Sequence, residues 1–272
     1  MLTVIIGIVV GLALGLSGSG GSIFAIPLLI YVAGVPPLEA ITISLVAVTV
    51  MSLIGTISAS YHQLIEYRAG LIFAAGGMAA SPAGIHLAHS IDEALLLHAF
   101  SILLVAIALL MALRAQHAKA ETDDLLPRGI DDSRAVCRFQ TGSDGQPRRL
   151  SLSAPCSIAL TLCGLGTGLL SGLFGVGGGF VIVPALTSLS QLGIHRAVAT
   201  SMFVITLIGC TALTSALISG RSIPLTTTAL FLTGGIVGTL TGRQLSSRVR
   251  GPILQRIFAA LLTLTAISLF RR

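Results

Sequence analysis

Two short stretches hold the residues whose types and spacing could do chemistry: "GLSGSGGSIFAIP" (Gly15 to Pro27) and "GLFGVGGGFVIVP" (Gly172 to Pro184). Adjacent glycines lack side chains, so a solute can approach the backbone at Gly18, Gly20, Gly21, Gly175, Gly177, Gly178 and Gly179. The amides that open the helix after each stretch carry partial positive charge, which favours an anion. In the first stretch, the hydroxyls of Ser17, Ser19 and Ser22 add donors where the second has Phe174, Val176 and Gly179. Pro27 and Pro184 each remove a helical hydrogen bond, freeing the carbonyls of Ile23 and Phe180 for a protonated solute or a cation.

Other polar residues fall near these loops in the pattern. Ser44 and Ser201 occupy equivalent positions, and Thr200 adjoins Ser201. Their hydroxyls can donate to an oxyanion, while their spacing among small residues equally suits helix packing. His62, Arg196 and Arg221 stand at the ends of apolar segments, where a charge is ordinarily solvated and the sharper reading is gating or coupling. No carboxylate lies in the interior of an apolar segment, Glu39 standing at the end of one, and Cys137, Cys156, Cys163 and Cys210 show no CxxC spacing. No metal site or cofactor is therefore expected, and the cysteines read as small core residues. "GVGGGF" lacks both the context of a dinucleotide fingerprint and a following GK[ST]. "GLSG" at Gly15 resembles a protease serine motif, with His62 or His86 as the base. Its repeat counterpart is Phe174, so catalysis is not expected.

The elements that must position these residues are membrane helices. Of 272 residues 54% are hydrophobic and 10% charged, and the mean hydropathy is +0.96, which excludes an ordinary soluble domain. The net charge of +6 is scattered at segment ends without Trp or a basic face, so nucleic acid is not a partner and the lipid bilayer is. No basic residue precedes the first apolar stretch, so a cleaved signal peptide is not expected. Apolar runs cover Leu2–Gly34, Leu38–Ser60, Ala69–His89, Ala94–Leu113, Pro155–Leu189, Ala197–Ser219, Leu225–Leu245 and Ile253–Phe270. The first and fifth exceed a simple crossing of about 20 residues, and both contain the glycine stretch.

A shift of 157 residues overlays the chain on itself: Gly15, Leu16, Gly18, Gly20, Gly21 and Pro27 meet Gly172, Leu173, Gly175, Gly177, Gly178 and Pro184. With one inserted residue, Phe73, Gly76, Gly77 and Gly84 meet Phe231, Gly234, Gly235 and Gly242. The expected fold is an all-α polytopic membrane protein of about eight segments in two four-segment repeats. Residues 1–114 form the first repeat, 115–152 a hydrophilic linker with a hairpin near Asp144-Gly145, and 153–272 the second. Interrupted segments in matching positions of two halves are the mark of a transporter site at the repeat interface.

The stretches "SGLFGVGGGFVIVPAL" and "ATSMFVITLIGCTALTSALISG" resemble the TauE/SafE family of bacterial sulfite exporters, over both membrane halves. The resemblance implies export of a small sulfur oxyanion or organosulfonate across the bacterial cytoplasmic membrane, with no enzymatic step. A passive anion channel is the alternative. If segments one and five each cross once, basic residues divide 11 to 5 in favour of the linker side. If each is a re-entrant hairpin, the halves are inverted and the division is 13 to 3. Either way the linker is expected in the cytoplasm.

Overall fold

A computed structural model describes residues 1–17, 22–92, 95–96, 98–103, 105–106, 138–140, 149–151, 154–190, 194–220 and 224–246. Its helices are α1 (Leu2–Ser17), α2 (Ser22–Tyr31), α3 (Pro37–Tyr61), α4 (Tyr67–Ser90), α5 (Ala154–Phe174), α6 (Gly179–Ser190), α7 (Ile194–Ile218) and α8 (Leu225–Ser246). Described residues between 95 and 106 are also helical, inside the expected fourth segment. The expected last segment, Ile253–Phe270, lies outside the described residues.

Among the described residues, five helices are long and apolar enough to cross a membrane: Pro37–Tyr61, Tyr67–Ala88, Ala154–Phe174, His195–Ile218 and Leu225–Leu245. The helices α2 and α6 have 10 and 12 residues. At 1.5 Å per residue they span about 15 and 18 Å, well short of the roughly 30 Å hydrocarbon core. Large apolar side chains such as Ile5, Leu53, Ile57, Leu71, Leu162 and Val237 face outward, as lipid requires and water would penalise.

Glycine sets the helix pairing. Along α1, a β-carbon at Gly7, Gly11 or Gly15 would overlap the carbonyl oxygen of Phe231, Gly235 or Thr239 on α8. Along α5, one at Gly164, Gly168 or Gly172 would overlap that of Phe73, Gly77 or Ser81 on α4. In lipid, helices gain no hydrophobic advantage from pairing, so close backbone contact supplies the attraction. Each contact of one pair becomes a contact of the other under the same 157–158 residue offset.

The contacts also give directions. The pairs α1–α8 and α4–α5 run parallel, and α4 runs parallel to α7 through Gly70–Phe203 and Gly77–Ile208. The Ser81 and Thr211 hydroxyls bond at 3.0 Å along the same seam. In contrast α3 and α7 are antiparallel, with Gly209 against Thr49 and Gly55 against Met202. Between them Thr56 and Thr206 are 3.3 Å apart. Helix α8 lies parallel to α3, with Met51 on Gly235. Hence α1, α3 and α8 point one way and α4, α5 and α7 the other. Each of these six helices opposes the one that matches it under the offset.

The hairpin expected in the linker is present as a short antiparallel ladder, β1 (Arg138–Gln140) and β2 (Arg149–Ser151), with Phe139 opposite Leu150, beside the helices of the membrane halves. Asp144 and Gly145 fall between the strands, outside the described residues. Cys156 is disulfide-bonded, which corrects its reading as a simple core residue; Cys163 and Cys210 are free thiols.

Candidate functional site

The second glycine stretch breaks the chain between α5 and α6, and residues Gly175 to Gly179 are all buried. Gly175, Gly177 and Gly178 have φ of 65°, 71° and 64°, the left-handed region that L side chains disfavour by about 1–2 kcal/mol each. Space is equally restrictive. A β-carbon would lie 2.6 Å from the Ile41 carbonyl oxygen at Gly175 and 2.8 Å from that of Thr167 at Gly178. At Gly177 it would meet Val48 at 2.9 Å and Ile205 at 3.1 Å. Val48 and Ile205 each stand twelfth in a helix of 25 residues. Gly177 therefore sits at the level where α3 and α7 cross at their middles, while Gly175 lies nearer the start of α3, against Ile41.

Gly178 beside Thr167 means that the chain turns back along α5 after Phe174. Two bonds shape the turn: the Gly175 amide donates to the Ser171 carbonyl at 2.8 Å, and the Val181 amide to the Gly178 carbonyl at 3.1 Å. Gly179 and Phe180 then open α6, whose first amides have no carbonyl four residues back within the helix. Phe174 closes one side with Phe100, ring centroids 5.3 Å apart.

The hydroxyls named from sequence take distinct places. Ser44 is buried and donates to the Gly175 carbonyl at 3.2 Å, fixing the loop to α3. Thr200 is buried on α7 and accepts the Glu66 amide at 3.0 Å, at the start of α4. Ser201 is buried beside it and donates to the Val198 carbonyl at 2.8 Å. Only Ser44 among these three is placed against the described loop. Ser171, which the pattern did not single out, has a buried hydroxyl oxygen without a hydrogen-bond partner among the described residues, one turn before Gly175.

The first glycine stretch is described at its flanks alone. Ser17 ends α1 and Ser22 begins α2, while Gly18, Ser19, Gly20 and Gly21 lie outside the described residues, as does Arg221. Pro27 lies inside α2 and Pro184 within the span of α6. Arg196 is exposed at the start of α7, and His86 is exposed toward the end of α4 remote from His62.

A cleft of about 470 Å³ opens at the end of the bundle where α1, α3 and α8 finish and α7 begins. Gly15, Ser58, His62, His195, Met202 and Arg243 line it. Arg243 is half-buried, and its guanidinium donates to the Gly55 carbonyl. The sequence pattern pointed to His62 but missed His195 and Arg243. A signal existed for Arg243: it is a charge within the apolar run Leu225–Leu245, and such charges face a polar interior.

Comparison with known proteins places these features in context. The family model described as sulfite exporter TauE/SafE matches residues 3–269. A probable membrane transporter protein of Xylella fastidiosa (strain Temecula1) is 32% identical over 97% of this chain and 92% of its own length. Probable membrane transporter protein YunE of Bacillus subtilis is 30% identical over 91% of this chain and 90% of its own. Similarity to a probable membrane transporter protein of Methanocaldococcus jannaschii, 30% identical, covers 76% of this chain. No solved structure matches.

Proposed function

The chain belongs to the sulfite exporter TauE/SafE family, and on that premise we propose that it moves a small anion across the cytoplasmic membrane by alternating access. The observation that carries this reading is the buried break at Gly175–Gly178, whose Gly177 is held where two membrane-length helices cross at their middles. Irregular backbone at that depth persists only when buried in protein or lining a wet cavity. It is also where transporters built from repeats bind their solute.

In this reading the amides from Val176 to Phe180 receive the anion, with the half-helix α6 aimed at it. Ser44 positions the loop, and the Ser171 hydroxyl is a further donor. The matching loop of the first half, Ser17 to Ser22, supplies the other wall. Thr200 and Ser201 serve the shell from α7. Sulfite or an organosulfonate is the leading solute, in keeping with the family's description. The relatives' names as transporters favour a non-enzyme.

The architecture we propose is a pair of inverted repeats, residues 1–114 and 153–272, joined by a cytoplasmic linker. Its support is that α1 opposes α5, α3 opposes α7 and α4 opposes α8. The re-entrant first and fifth segments that inversion needs are also those that give the 13 to 3 division of basic residues.

The test is efflux of radiolabelled sulfite from proteoliposomes, with counterflow to separate a carrier from a channel. Saturable efflux with counterflow, lost in Gly178→Leu protein that still elutes as a single species, is the expected result. Equal efflux in both proteins would remove the loop from the path.

A further inference from the structure

The cleft and the glycine loop are joined by one face of α3. Ser44, Val48, Met51, Gly55, Ser58 and His62 recur at alternating steps of four and three residues, so they form a single stripe along the helix. At the inner end Ser44 and Val48 touch Gly175 and Gly177. At the outer end Ser58 and His62 line the cleft. Between them the stripe is covered: Met51 packs on Gly235, Met202 packs on Gly55, and Arg243 holds the Gly55 carbonyl.

The cleft has the chemistry of an anion site. Arg243, His62 and His195 line it, and among the described residues no carboxylate does. Arg243 forms no ion pair among the described residues; its one described polar contact is a neutral carbonyl. A guanidinium in a half-buried setting binds oxyanions in bidentate fashion far better than it binds one carbonyl.

We propose that this cleft binds a small oxyanion on Arg243, in series with the glycine loop, and that Arg243 leaves the Gly55 carbonyl for the anion when it arrives. Met202 and Met51, unbranched and adaptable, then form the barrier the solute must pass. The place of the cleft on a transport path rests on the reading above; its anion binding does not.

The experiment uses the full chain in detergent, carrying Ser58→Cys with the exposed thiol removed by Cys210→Ser. The introduced thiol is labelled with anionic and cationic methanethiosulfonate reagents of similar size, against a parent lacking Ser58→Cys. Isethionate is the competing oxyanion, and gluconate at equal ionic strength the control. The anionic reagent is expected to react about tenfold faster than the cationic one, and isethionate to slow it. Arg243→Gln should abolish both the preference and the protection, and Arg243→Lys should retain most of the preference. A merely structural bond from Arg243 to Gly55 would leave charge preference and protection unchanged at equal folding.

Equal rates for the two reagents, or no isethionate protection in the Arg243 protein, overturn the proposal without recourse to any Arg243 variant. Protection without sulfite efflux from proteoliposomes would refute the transport reading and leave the cleft site standing. Efflux without protection would do the reverse.

Discussion

Gly168 and Gly166 lie on the same helix, two residues apart, and the structure assigns them opposite fates on substitution by alanine. At Gly168 a new β-carbon would overlap the Gly77 carbonyl oxygen and lie 2.6 Å from the Gly77 α-carbon and 2.7 Å from its carbonyl carbon. All three are backbone atoms, so no rotamer change relieves them, and α5 must move from α4 by roughly 1 Å to restore ordinary contact. A gap of that size forfeits a quarter to a half of each dispersion contact nearby, and overpacking of this kind costs about 1–3 kcal/mol. At Gly166 nothing lies within 4 Å of the added carbon. Both substitutions share the helix-propensity gain of alanine over glycine, about 1 kcal/mol, so it cancels between them. The difference in stability should therefore report the clash alone. For a chain of this size 1 kcal/mol moves Tm by about 2–4 °C, which places Gly168→Ala roughly 2–12 °C below Gly166→Ala. Thermal unfolding in detergent of both variants in a Cys210→Ser background, followed by a thiol-reactive fluorophore reaching Cys163 as it is uncovered, measures the gap. Equal melting temperatures would refute the close backbone contact that pairs α4 with α5.

Ser171→Ala should leave stability unchanged or raise it by up to about 1 kcal/mol, because a buried hydroxyl without a partner costs free energy. If the same change lowers sulfite efflux, Ser171 donates to the solute; a fall in Tm would contradict its unpartnered state. Thr200→Val should destabilise by about 1–3 kcal/mol, since it strands the Glu66 amide that Thr200 now satisfies. Melting of the variant checks the sign, and an unchanged Tm would mean that the amide finds another acceptor.

Much of the fold was legible because the bilayer restricts it. Runs such as Leu38–Ser60 and Leu225–Leu245 became helices Pro37–Tyr61 and Leu225–Ser246, as long apolar segments with charge only near their ends must when every backbone group needs an internal partner. The break in the fifth segment was legible too, since three glycines in four residues offer left-handed conformations and no steady helix face. Small residues at four-residue steps, Gly76, Ala80 and Gly84 on α4 and Gly234, Gly238 and Gly242 on α8, carry the pattern of close helix packing in the sequence itself. On the facing helices Gly7, Gly11 and Gly15, and Gly164, Gly168 and Gly172, have the same spacing, yet nothing local says which helix each meets.

What the sequence alone determined is therefore the membrane class, the approximate bounds of the described long helices, the offset between halves and the glycines at the described break. These follow from composition and from interactions within a few residues. Only the tertiary structure decided that α1 packs on α8 and α5 on α4, so that the first segment of each half lies against the third of the other. It also decided that Ser44 faces Gly175 across 131 residues and that Arg243 reaches Gly55 across 188. Such pairings depend on how closely two backbones can approach, and that is a property of both helices together.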